Sequence, residues 1–174
     1  MRQTISMSGG NPIYAKGTGS STQLTATVNG TVGNDAVAWT SGNTNIAKVS
    51  GGKVTGVGAG TVTITATSNG VSTSKSIQVK EPTIKLDRET ANIYPPATKT
   101  VTFTVTVNGV QGNSGVTWRS GNTKVATVSN GKVTAVGKGT ATITAKANGK
   151  LAKAKVTVKD PYCLLYTSPS PRDA

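Results

Sequence analysis

The chain has 174 residues, a formal charge of +13, no histidine and a single cysteine, Cys163. That inventory excludes histidine-based acid/base catalysis, a Cys/His zinc site and a disulfide framework. The N-terminal run MRQTISMSGG lacks the apolar stretch of a secretory leader, and no window approaches the run of about 18 apolar residues that a membrane helix needs. The expectation is a chain made in the cytosol or an internal piece of a longer protein. The positive charge would attract nucleic acid, anionic polysaccharide or an acidic membrane surface without choosing between them.

Thr4–Met7 (TISM) is a short alternating run and reads as a first strand, as does its counterpart Thr83–Leu86 (TIKL). Ile13-Tyr14 follows and is matched by Ile93-Tyr94. Pro12, Pro95 and Pro96 cannot donate to a ladder, which suits an edge strand or a crossing between sheets. Leu24, Ala26 and Val28 alternate with Thr25 and Thr27, as Phe103, Val105 and Val107 alternate with Thr104 and Thr106. Period-two alternation predicts a strand with one buried and one wet face.

Asn-Gly pairs at Asn29, Asn69, Asn108, Asn130 and Asn148 favour the positive φ angles of tight hairpin turns. Such turns among β-branched runs leave little room for helix. Gly58-Ala59-Gly60 and Gly137-Lys138-Gly139 open onto Thr-rich strands, so they read as turns and not as phosphate cradles, which need a helix N-terminus behind them. Val62, Ile64 and Ala66 face one way and Thr61, Thr63, Thr65 and Thr67 the other. In the later run, Ala141, Ile143 and Ala145 oppose Thr140, Thr142, Thr144 and Lys146. Burying each Val or Ile is worth about 1.5–3 kcal/mol, so a register slip that exposed the set is strongly opposed.

These pairings arise because the chain is one unit written twice. Val37–Ala66 returns as Val116–Ala145, and at that offset Leu24–Pro82 overlays Phe103–Pro161 with roughly 33 of about 59 positions identical. The expected domains are residues 1–80 and 81–161, joined through Lys80-Glu81-Pro82, a short linker that predicts limited bending. Domains this small need a well-patterned core, for which Trp39, Trp118, Ile64 and Ile143 are the candidates. Short strands with frequent turn signals and one Trp on a mid-chain strand predict an all-β fold of two tandem immunoglobulin-like β-sandwich domains.

The run V-x-W-x-S-x-N, then A-x-V-S-x-G-K-V-T-x-V-G-x-G-T-x-x-I-T-A, present in both copies, resembles the bacterial immunoglobulin-like domain, group 2. The resemblance implies a β-sandwich found in surface adhesins of the intimin and invasin kind, in cell-wall-associated proteins and in phage tail and capsid proteins. It brings no catalytic residues, no cofactor and no metal. It implies a non-catalytic structural or interaction module, a spacer or weak adhesive repeat at the bacterial cell surface. The alternatives are a phage virion component, or a glycan-targeting module appended to a larger enzyme.

Lys146, Lys150, Lys153, Lys155 and Lys159 form the densest basic run. Within it Ala152, Ala154, Val156 and Val158 point to one face and Lys153, Lys155 and Lys159 to the other, which predicts a solvated edge strand, where lysine discourages edge-to-edge aggregation. The rival reading is contact with a cell-surface glycan or other anionic polymer. Nucleic-acid binding would call for exposed aromatics to stack bases, and few aromatics exist. Asp35, Glu81, Asp87, Glu89 and Asp160 are too scattered for a calcium cage or a carboxylate pair. Neighbouring repeats in a parent chain are the other expected partners, with no small-molecule substrate. The terminal segment Cys163–Asp173 (CLLYTSPSPRD) has no counterpart in the first copy and resembles a translated sequencing-library adapter. Residues 162–174 are therefore expected to be a non-native, disordered tail, with the natural chain continuing differently.

Overall fold

The computed structural model describes residues 3–34 and 36–160; the expectation about the tail, and the position of Asp35, lie outside the described residues. Two compact units divide between Pro82 and Thr83. Every regular element among the described residues is a strand.

Unit 1 comprises β1 (Ile5–Gly9), β2 (Ile13–Tyr14), β3 (Ser21–Val28), β4 (Thr31–Val32), β5 (Ala38–Ser41), β6 (Ala47–Ser50), β7 (Lys53–Gly56), β8 (Gly60–Ser68) and β9 (Val71–Lys80). One sheet runs β1-β3-β7-β6 with β4 on β3, and the other runs β2-β9-β8-β5. Pro12 sits where the chain crosses from the first sheet, at β1, to the edge of the second, at β2. Gly10 makes that crossing possible, because a Cβ there would lie 2.7 Å from the side chains of both Ile77 and Leu24.

Unit 2 repeats the plan with β10 (Ile84–Leu86), β11 (Thr90–Ile93), β12 (Thr100–Thr102), β13 (Val105–Val107), β14 (Val110–Gln111), β15 (Thr117–Ser120), β16 (Ala126–Ser129), β17 (Lys132–Ala135), β18 (Gly139–Ala147) and β19 (Lys150–Val158). One sheet runs β11-β19-β18-β15. The material of the other is divided into β10-β13-β14 and β12-β17-β16, because the strand matching β3 breaks at Phe103-Thr104. There the Phe103 amide donates to Gly131 O at 2.8 Å. The Thr104 amide turns to the Asp87 carboxylate, Thr104 N to Asp87 Oδ1 at 2.9 Å.

The alternating runs bury the residues their period demands. Leu24, Ala26, Ile64, Ala66, Ile77 and Val54 are sealed in unit 1; Phe103, Val105, Val133, Ile143, Ala145 and Val156 are sealed in unit 2. Each core draws only on its own unit. The tryptophans, expected inside, lie at the rims: Trp39 and Trp118 are half-buried and pack against the cores from outside the fully buried set. Both stand on β5 or β15, at the end of the sheet order, where one flank of the ring has no further strand to cover it. All five Asn-Gly asparagines have positive φ, between 48° and 53°.

Candidate functional site

The register of unit 2 shows which lysines share a surface. On the outer face of the β11-β19-β18-β15 sheet, Arg119 is opposite Thr144, which is opposite Lys153. One row away Thr117, Lys146 and Leu151 line up, and on the other side Thr142, Lys155 and Thr90. Arg119, Lys146, Lys153 and Lys155 are all exposed on this face. Adjacent strands lie about 4.8 Å apart and alternate residues about 6.7 Å, so these cations form a patch and not a line. The strand positions of the face carry no carboxylate.

The five lysines of the basic run do not all belong to it. Lys150 pairs with Ala147 at the hairpin end, on the opposite side of the pleat. Lys159 lies beyond the last β18–β19 pair, about 20 Å from Lys153, beside a cleft at the other end of the sheet. Arg119 belongs to the patch although it is 27 residues before Lys146 in sequence. Strand pairing could not be read from the linear run, and only the alternation within β15 hinted that Arg119 faces outward.

The topology splits the edge-strand expectation for this run: from Lys150 to Ala154 β19 pairs with β18 alone and is an edge, whereas from Lys155 onward it is covered on both sides. The covering strand is β11, paired in parallel from Lys155 to Val158. In strand order the outermost strands are β11 and β15. Guarding a free edge therefore does not explain Lys155, whose own amide donates to Glu89 O at 2.8 Å.

Unit 1 presents the same face in the same register without the charge. Thr40, Thr65 and Ser74 form one row, Ala38, Thr67 and Ser72 the next, and Thr63 pairs with Ser76. Two hydroxyl pairs close across the strands, Thr65 to Ser74 and Thr67 to Ser72, each at 2.9 Å. A hydroxyl ladder satisfies the pleat as well as lysine does, so the fold itself does not call for the cations of unit 2.

The remaining candidate residues sort by environment. Ile64 and Ile143 are completely buried. The Trp118 indole donates from Nε1 to Asn113 Oδ1 at 3.0 Å, and Asn113 Nδ2 donates to Asn130 O at 3.0 Å. In unit 1 the matching Asn34 is committed to backbone, accepting from Ala26 N and donating to Leu24 O and Gly51 O. There the buried Trp39 Nε1 lacks a hydrogen-bond acceptor. Among the described residues no three His, Cys, Asp or Glu come together, and no helix is long and apolar enough to cross a membrane. The Gly58-Ala59-Gly60 and Gly137-Lys138-Gly139 segments join β7 to β8 and β17 to β18. Their leading amides cap single carbonyls: Val57 and Gly58 donate to Ile46 O, and Val136 and Gly137 to Val125 O.

Comparison with known proteins places these features in context. The family model of the bacterial Ig-like domain (group 2) matches residues 3–79 and 83–158. Over 125 residues the chain is 36% identical to an alpha-L-arabinofuranosidase of Bifidobacterium longum subsp. longum, a match covering 64% of this chain and 11% of that enzyme. The chain thus spans about a tenth of the length of that curated relative. Similar solved structures include domains 4 and 5 of the S-layer protein SbsC, with 23% identity over 90% of this chain and 98% of that one and a TM-score of 0.48. Another is the C-terminal 282-residue fragment of intimin in complex with the intimin-binding domain of the translocated intimin receptor, with 20% identity over 90% of this chain and 64% of that one and a TM-score of 0.39.

Proposed function

The chain belongs to the bacterial Ig-like domain (group 2) family, and from that premise we propose that it is a pair of non-catalytic repeats of a bacterial cell-surface protein, the second of which adheres weakly to an anionic polymer. Family membership makes the chain a structural or interaction module. The observation that carries the finer reading is the contrast between the two copies, since one register supports a neutral hydroxyl face in unit 1 and a patch of Arg119, Lys146, Lys153 and Lys155 in unit 2. Clustered ammonium and guanidinium groups without a carboxylate on their strands attract a polyanion through a screened, salt-sensitive interaction.

The test is retention of the chain on bacterial cells or purified cell-wall polysaccharide at low and high salt. The expected outcome is binding at low ionic strength that falls steeply as salt rises, and that falls about tenfold in Lys153→Ser/Lys155→Ser. Retention that ignores both salt and the double variant would sink the reading. The 36% identity to an arabinofuranosidase segment favours one second reading, a targeting module attached to a glycan-active enzyme. Under that reading the chain is retained on a neutral polysaccharide, and high salt does not release it.

A further inference from the structure

Unit 2 holds an open cleft of about 570 Å³, inside the span of roughly 300–1,000 Å³ typical of small-molecule sites. Its origin follows from two substitutions between the copies. In unit 1 the ladder continues past β2, because the Ala15 amide donates to Lys80 O at 2.8 Å. Gly56 then lets the Tyr14 backbone come so near that a Cβ at position 56 would stand 2.3 Å from the Tyr14 carbonyl oxygen. In unit 2 the counterpart of Ala15 is Pro95 and that of Gly56 is Ala135. Lys159 N still donates to Ile93 O at 2.8 Å, but Pro95 has no N–H with which to continue. The Ala135 methyl fills the space the backbone would need. The chain leaves the β11–β19 sheet after Ile93 and joins the β12-β17-β16 sheet at Lys99, whose carbonyl accepts from Ala135 N at 2.8 Å. The gap between is the cleft.

Its chemistry is that of a receptor for an anion with an apolar flank. Lys99, Lys138 and Lys159 border it, whereas their counterparts in unit 1 are Ser20, Ala59 and Lys80. Pro95, Val136 and Val158 supply apolar surface, and Val136 is 59% exposed, a large side chain with little covering it. One carboxylate is present, Asp160, whose Oδ2 lies 3.5 Å from Lys138 Nζ. The Lys138 side chain is 71% exposed and that of Asp160 30%, so the ammonium stands largely in water, where an ion pair is weak, and is open to a competing carboxylate.

We propose that this cleft binds an acidic sugar unit, its carboxylate set between Lys99, Lys138 and Lys159 and its C–H face laid on Pro95 and Val136. The site is distinct from the cationic sheet face, lies at the other end of β19, and stands or fails independently of it.

The experiment is an amide-resolved NMR titration of the whole chain with trigalacturonate at constant ionic strength, beside neutral galactotriose and sodium sulfate. Saturable shifts are expected at Val136, Gly137 and Lys159 with trigalacturonate. Lys99→Ser/Lys138→Ser should weaken the apparent Kd by about tenfold or more, and Lys153→Ser/Lys155→Ser by less than about twofold. The replaced lysines are exposed, and an unchanged β18–β19 amide pattern verifies the fold of each variant. The proposal is overturned by the absence of saturable shifts, by equal shifts with galactotriose or with sulfate, or by a Lys99→Ser/Lys138→Ser variant that binds as the parent does.

Discussion

Trp39 and Trp118 occupy matching positions on β5 and β15, both half-buried, yet their indole N–H groups meet different fates. Trp118 Nε1 reaches Asn113 Oδ1 at 3.0 Å, whereas Trp39 Nε1 is buried without an acceptor and the matching Asn34 bonds to backbone, its Oδ1 accepting from Ala26 N at 2.9 Å. A net hydrogen bond contributes about 0.5–1.5 kcal/mol, and an unsatisfied buried donor costs about 1–3 kcal/mol. Replacing each Trp by Phe removes similar volume, so the two costs should differ chiefly by this term. Trp118→Phe is expected to destabilise unit 2 more than Trp39→Phe destabilises unit 1, by about 1.5–4.5 kcal/mol, as read from native-state amide exchange within each unit. Equal losses would mean that the indole N–H is irrelevant in both. That a Trp sits at each position and touches a core was legible from the alternation of the flanking strand. Which indole finds a partner was not, because Asn34 and Asn113 are the same residue at the same place in the repeat.

Strands and turns repeat that lesson one level up. Asn130-Gly131 and Asn148-Gly149 are identical dipeptides with nearly identical φ, 48° and 86° in the first and 53° and 80° in the second. Their surroundings differ: a Cβ on Gly149 would meet nothing within 4 Å, while one on Gly131 would stand 2.6 Å from Phe103 O. Gly149→Ala should cost about 1 kcal/mol, the conformational penalty of a side chain at positive φ. Gly131→Ala should cost at least about 2 kcal/mol more, because backbone must move and the Phe103 N to Gly131 O bond moves with it. Denaturant unfolding of the two variants checks the order, and a milder effect at Gly131 would contradict the packing described for the β16–β17 turn. The hairpins could be anticipated from Asn-Gly alone. The break of the β3-like strand into β12 and β13 could not, since it rests on Asp87 reaching Thr104 N across 17 residues of sequence.

Over the whole molecule, the two cores share no residue, and each includes an isoleucine sealed from solvent, Ile64 in one and Ile143 in the other. Ile143→Ala is expected to cost unit 2 about 2–5 kcal/mol, seen as faster amide exchange in β13, β18 and β19. A loss below about 1 kcal/mol would contradict the sealed packing of Ile143. Charge follows a different logic from packing, since the strands that build the cores are nearly interchangeable between units while the outer faces are not. The repeat of Val37–Ala66 as Val116–Ala145, the period-two burial, the Asn-Gly turns and the excess of lysine after Lys146 were all determined by the sequence, because each depends on neighbours along the chain. The grouping of Arg119 with Lys153, the covering of β19 by β11 from Lys155 onward, the rim position of the tryptophans and the cleft beside Pro95 were decided only by tertiary structure. Each depends on which strand lies beside which, and that pairing is set by burial shared among segments far apart in sequence.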